Sequence, residues 1–152
     1  MKSRSRAKRH SDQAGGTPMP DETGLRVITF GTFDVFHIGH LRILERARAL
    51  GDFLSVGVST DDLSVRKKGA RPVFPQEQRL EIVGALRIVD SVFYEETLEE
   101  KREYILREKA GVLVMGDDWR GKFDDLSDIC RVVYLPRTPA ISTTAVIEKI
   151  RE

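Results

Sequence analysis

Cysteine and tryptophan occur once each in this sequence and histidine three times. A lone thiol, Cys130, cannot build an internal disulfide framework, which suits a reducing compartment and sets the expectation of a cytoplasmic protein. Its apolar neighbours make it a packing residue. Long apolar runs are missing as well, and none approaches the roughly 20 residues that span a bilayer. No membrane partner is therefore expected. Excess charge of one sign is also absent, the net value being +1. The surplus sits at the start, where residues 1–24 hold five Lys and Arg against three acids, so the remainder is slightly acidic. A body with no basic surplus argues against a nucleic-acid partner.

What is present fits one globular unit: 152 residues, 40% hydrophobic and 32% charged. Residues 1–24 combine Ser, Gly, Pro and charge with almost nothing to bury, and read as a disordered basic N-terminal extension. They hold neither the apolar core of a secretory signal nor the amphipathic face of a transit peptide. From Leu25 to Glu152 the pattern is regular. Short runs rich in β-branched residues lie at 25–30, 53–58, 89–94, 112–115 and 131–135. Between them, helical spacing is read over 41–50, from Pro75 onward through Leu86, over 98–109 with Tyr104, Ile105 and Leu106 inward, and over 143–152. Strand alternating with helix predicts an α/β, Rossmann-like, doubly wound parallel sheet of five strands with helices on both faces. In such a sheet, ligands bind where strands run into helices.

Two of those junctions carry chemistry. The first strand ends in Gly31-Thr32-Phe33-Asp34, and Val35-Phe36-His37-Ile38-Gly39-His40 opens a helix. His37 and His40 are three apart and share a face on a first helical turn. Gly39 removes a side chain where a polyphosphate would come close, and free N–H groups at the helix start attract phosphate. Both histidines of the body thus stand on one phosphate-ready turn, able to donate to an oxygen that gains charge during displacement. The last strand leads through Arg137 and Thr138 to Ile141-Ser142-Thr143-Thr144, at a second helix start. Ser142 or Thr143 would cap that helix in any protein, but an arginine beside three consecutive hydroxyls makes a second phosphate clamp.

Together these runs resemble the two defining motifs of the cytidylyltransferase family, whose HIGH tetrapeptide is shared among many nucleotidyltransferases. The resemblance covers residues 25–152 and makes them a nucleotidyltransferase catalytic domain. Met115-Gly116-Asp117-Asp118-Trp119, Gly121-Lys122-Phe123-Asp124 and Arg87-Ile88-Val89-Asp90 are most similar to the branch acting on glycerol 3-phosphate. The resemblance implies CTP and glycerol 3-phosphate as substrates, CDP-glycerol and pyrophosphate as products, Mg²⁺ bridging the CTP phosphates, and a homodimer. Position by position, it places Gly31, Thr32, Phe33, Asp34 and Gly39 at the nucleotide with His37 and His40. Arg137, Thr138, Ile141, Ser142, Thr143 and Thr144 would hold the triphosphate from the other side. Met115 to Trp119, with Asp117 and Asp118, would sit at the cytosine. Arg87 and Asp90 would order the site, and Lys67, Lys68 and Lys101 would meet the acceptor phosphate. The segment 66–71 departs from the family's lysine-rich loop by about one residue, leaving the assignment of each lysine open. Other expectations compete: a class member using ATP or another phospho-alcohol, or a catalytically silent nucleotide sensor, which would carry a damaged clamp.

Overall fold

The computed structural model describes residues 9–10, 24–137 and 142–152. Most of the 1–24 extension, and Thr138 and Ile141 of the second clamp, lie outside the described residues. The strands are β1 (Arg9–His10), β2 (Arg26–Gly31), β3 (Phe53–Ser59), β4 (Ser91–Glu95), β5 (Val112–Gly116) and β6 (Arg131–Leu135). They form one sheet in the order β1-β4-β3-β2-β5-β6, parallel throughout. β2 to β6 are the five predicted strands, and β1 is a two-residue pairing with Ser91 and Val92.

The two-residue period of the strands separates two cores. Val27, Val56, Val58, Val112 and Val114 face one way, packed with Leu44 and Ala47 of α1 (Ile38–Arg48) and Leu80 and Val83 of α3 (Gln76–Gly84). Ile28, Phe30, Leu113 and Met115 face the other way, with Tyr104 and Ile105 of α4 (Lys101–Arg107), Leu126 and Cys130. α4 is shorter than its sequence pattern, and Leu106 does not point inward as expected but is 57% exposed. A helix not read in the sequence, α2 (Asp61–Lys68), occupies the lysine-rich segment. Thr60 caps it through Leu63 N, acids stand in its first turn and bases in its last, and Gly69 ends it in the left-handed conformation at φ 80°. Only Leu63 and Ser64 of α2 are buried, too narrow a stripe for periodicity to reveal. Among the described residues no helix is long and apolar enough to cross a membrane.

Close packing within the second core has one sharp requirement. A Cβ on Gly57 would lie 2.6 Å from the Phe30 ring and 2.9 Å from that of Phe93. Those rings stand edge to face at 5.8 Å and have little room to move. Gly57→Ala should therefore destabilise the fold by about 1–3 kcal/mol, read as a lowered Tm; an unchanged Tm would show that the rings yield freely.

Parallel strands put every carboxyl end on one edge. β2 has β3 on one side and β5 on the other, so the winding direction reverses there and a crevice opens between the loops after β2 and β5.

Candidate active site

The loop after β2 is held in an uncommon backbone shape. Phe33 and Val35 have φ of 55° and 49°, left-handed values that are costly for bulky and β-branched residues. Three anchors hold it. Arg79 Nη1 donates to the Thr32 carbonyl at 2.8 Å. The Asp34 carboxylate accepts from Val73 N at 2.6 Å and Phe74 N at 2.9 Å. The Asp34 carbonyl accepts from Thr143 Oγ1 at 3.0 Å. Asp34 thus spends its carboxylate on the 73–74 backbone, and Phe33 is a core residue whose ring lies 5.5 Å from that of His40.

His37 is the N-cap of α1, and the histidine pair builds that cap itself. Gly39 N donates to His37 Nδ1 at 3.0 Å, and His37 N donates to His40 Nδ1 at 3.2 Å. The rings stack 3.8 Å apart. Because each Nδ1 accepts a backbone hydrogen, each neutral ring carries its proton on Nε2, which is then a donor. Burial, followed by the charges of His37 and Lys68, pushes the His40 pKa down to about 3. Burial lowers that of His37 too. Two neutral imidazoles therefore present N–H groups at physiological pH.

The second junction comes to the same place. Ser142 caps α5 (Thr143–Arg151), its hydroxyl accepting from Ala145 N. Thr143 Oγ1 lies 3.4 Å from His37 Nε2, across 106 residues of sequence. Arg137 Nη2 donates to Asp118 Oδ2 at 3.0 Å, joining the loops after β6 and β5. Thr144 follows on the exposed start of α5. Asp117, Asp118 and Trp119 form a single 3-10 turn after Gly116. Asp117 pairs with Arg120, and Trp119 packs on Phe123 with ring centroids 5.4 Å apart. Met115, one residue earlier, is buried in the core.

The lysines separate. Lys68 acts on His40 through charge, whereas Lys67 Nζ donates to Ser59 Oγ at 2.9 Å. Lys101 is neither solvated nor open to an acceptor: it is 2% exposed and paired with Glu95. Arg87 and Asp90 are not brought to this crevice. Asp90 precedes β4, where its carboxylate accepts from Leu54 N at the start of β3, so both stand at the amino edge. Sequence reasoning missed Arg79, Ser59 and Glu95. Arg79 is fully buried and ties Thr32, Phe74, Ser59 and Asp61 together. Its one signal was an arginine among Leu80 and Val83 on the inner side of α3.

The chain is similar to several known proteins. Residues 28–149 match the model of the family described as cytidylyltransferase-like. A glycerol-3-phosphate cytidylyltransferase of Bacillus subtilis (strain 168) is 49% identical over 125 residues, which is 82% of this chain and 96% of that protein. An FAD synthase of Pyrococcus horikoshii is 33% identical over 144 residues, 88% of this chain and 97% of its own. Among solved structures, a lipopolysaccharide core biosynthesis protein from Thermoplasma volcanium GSS1 superposes with a TM-score of 0.64 at 25% identity, covering 76% of this chain and 98% of that one.

Proposed function

Because this chain belongs to the cytidylyltransferase-like family and is a nucleotidyltransferase, we propose that it transfers CMP from CTP to glycerol 3-phosphate. An oxygen of the acceptor phosphate attacks the α-phosphorus of CTP in line. The bond from that phosphorus to the bridging oxygen breaks, and pyrophosphate leaves as CDP-glycerol forms. The observation that carries this reading is the meeting of His37 and Thr143 at 3.4 Å, which sets two helix starts and their donors around one crevice. His37 and His40 would donate to the α-phosphate as its charge grows, and Arg137, Ser142 and Thr143 would brace the departing phosphates. No covalent intermediate on the protein is needed. The likeness to a glycerol-3-phosphate cytidylyltransferase supports the choice of substrates.

Mg²⁺ bridging the CTP phosphates belongs to the same proposal. Among the described residues no three His, Cys, Asp or Glu side chains gather as a metal cluster, so the ion would be held chiefly by the triphosphate's own oxygens. Bound there, it would neutralise phosphate charge; the protein's part is to bind and orient. A homodimer in the cytoplasm completes the proposal.

The likeness to an FAD synthase favours one second reading, adenylyl transfer from ATP. Pyrophosphate release over a grid of four nucleoside triphosphates against several phosphorylated alcohols and FMN separates the two. CTP with glycerol 3-phosphate should be the fastest pair. Faster turnover with ATP and FMN, or with phosphocholine, would reassign the substrates.

A further inference from the structure

Beside the two clamps lies a buried charge network that the transfer as described leaves idle. Ser59 closes β3 and Glu95 closes β4, opposite each other in register on the ligand edge of the sheet. Ser59 is 0% exposed and Glu95 1%. Lys101 Nζ donates to Glu95 Oε2 at 2.5 Å. Its ammonium also lies 3.7 Å from the Phe30 ring centroid and 4.9 Å from that of Phe123, so aromatic faces cover the side the carboxylate leaves open. On the other carboxylate oxygen, Ser59 Oγ donates to Oε1 at 3.2 Å, and the same hydroxyl accepts from Lys67 Nζ at 2.9 Å. Both carboxylate oxygens and the hydroxyl are thus paired, and the chain runs from the core outward to the last turn of α2.

Stability alone does not account for this arrangement. A buried ion pair forfeits so much hydration that well-packed apolar residues of equal volume hold a core at least as well. The network's outer end, Lys67, adjoins Lys68, which acts on His40. We propose that Glu95 is a positioning residue of the transfer: binding Lys101 directly and Lys67 through the Ser59 hydroxyl, it fixes the Lys67 ammonium beside the Thr32 loop, which Arg79 ties to Ser59, as the cation that receives the acceptor's phosphate. This rests on the cytidylyl-transfer reading and adds to it the part that orients the acceptor.

The charges facing Lys67 come from four elements. Burial pushes its pKa down to about 8; Glu95 of β4 raises it, while Lys68 of α2, Lys101 of α4 and Arg79 of α3 lower it. Removing the Glu95 charge removes the upward pull, so Lys67 should lose its proton at a lower pH.

The full chain is assayed as Glu95→Gln, Ser59→Ala and Lys67→Ala, with Ser59→Thr as the conservative variant. Ser59→Ala leaves the Lys101–Glu95 pair intact and decides the matter even where Glu95→Gln does not fold. Both Ser59→Ala and Glu95→Gln should raise the acceptor KM about tenfold while the CTP KM stays within about twofold. Ser59→Thr should restore it. In the Lys67→Ala background, Ser59→Ala should add less than about a twofold effect, because both act through one ammonium. Equal losses for both substrates, an unchanged acceptor KM, or fully additive effects would overturn the proposal. NMR titration of lysines labelled at Cε reads Lys67 without turnover: its midpoint should fall in Glu95→Gln, and an unmoved midpoint overturns the proposal. Should the parent reject glycerol 3-phosphate yet accept another acceptor, the substrate reading fails, and the same KM comparison with that acceptor still decides the role of Glu95.

Discussion

His40→Ala should keep the fold, bind CTP within about tenfold of the parent and turn over at least about a hundredfold more slowly, since losing one preorganised donor typically costs about 10²–10³ in rate. The two ring nitrogens do separate work, and this makes the expectation sharper. Nδ1 accepts from His37 N and belongs to the helix cap; Nε2 carries the proton that faces the crevice. Asparagine puts an oxygen near the first position, and glutamine puts an amide N–H near the second. His40→Asn should therefore recover stability and His40→Gln should recover part of the turnover. Calorimetric CTP titration and initial rates at saturating substrates read the two effects apart. A folded His40→Ala protein with near-parental kcat would remove the residue from the mechanism. Acid stability gives a further check. Folding lowers the His40 pKa from 6.5 to about 3, so the folded state binds fewer protons there, and its contribution is present above about pH 6.5 and lost as the pH falls toward 3.

The largest effect on stability is expected at Arg79. Its Nε donates to Phe74 O at 2.9 Å, Nη1 to Thr32 O and Ser59 O at 2.8 Å each, and Nη2 to Asp61 Oδ1 at 2.7 Å. Arg79→Met would leave those acceptors without donors inside the protein, and removing one partner of a buried ion pair costs about 3–5 kcal/mol. Arg79→Lys retains the charge but not the planar fork, so it should recover only part of the loss. The measurement is the urea midpoint at unchanged slope, with kcat on the material that stays folded. Because Thr32 sits in the strained loop below His37, turnover should fall together with stability in Arg79→Lys. A midpoint unchanged in Arg79→Met would show that water replaces the fork without cost.

How far these features could be read in the residues follows from where each signal resides. Strands buried on both faces are continuous β-branched runs, so β2 to β5 were visible; the half-buried β6 showed through Val132, Val133 and Leu135, and with these strands came the parallel sheet and its ligand edge. The His37–His40 turn was visible because a phosphate-binding helix start is a local object: glycine, histidine and free N–H groups within one tetrapeptide. α2 was not, because its buried stripe is two residues wide. Arg79, Ser59 and Glu95 acquire meaning only when α3, β3 and β4 are side by side, and their sequence separations carry no period that could announce it. Lys101 looked like any charged first-turn residue, yet a glutamate six positions earlier and two aromatic faces make it a core residue. Arg87 and Asp90 illustrate a different limit. They precede a strand, and in a parallel sheet that alone sends them to the edge opposite the residues that follow one.

The cap of α1 has a consequence for what can react. With both Nδ1 atoms occupied by backbone N–H groups, neither imidazole keeps a lone pair facing the crevice, and neither can take a proton there without opening the helix. Toward the crevice the pair gives hydrogen bonds and accepts none, its two acceptor nitrogens being taken by the backbone. A nucleophile that must first be deprotonated, such as an alcohol or water, finds no base in these rings. A phosphate monoester arrives ionised, its second pKa being about 6, and requires none. In the proposed transfer, the same two hydrogen bonds that start a helix would thus sort nucleophiles by acidity and spare the nucleotide from water while the acceptor is away.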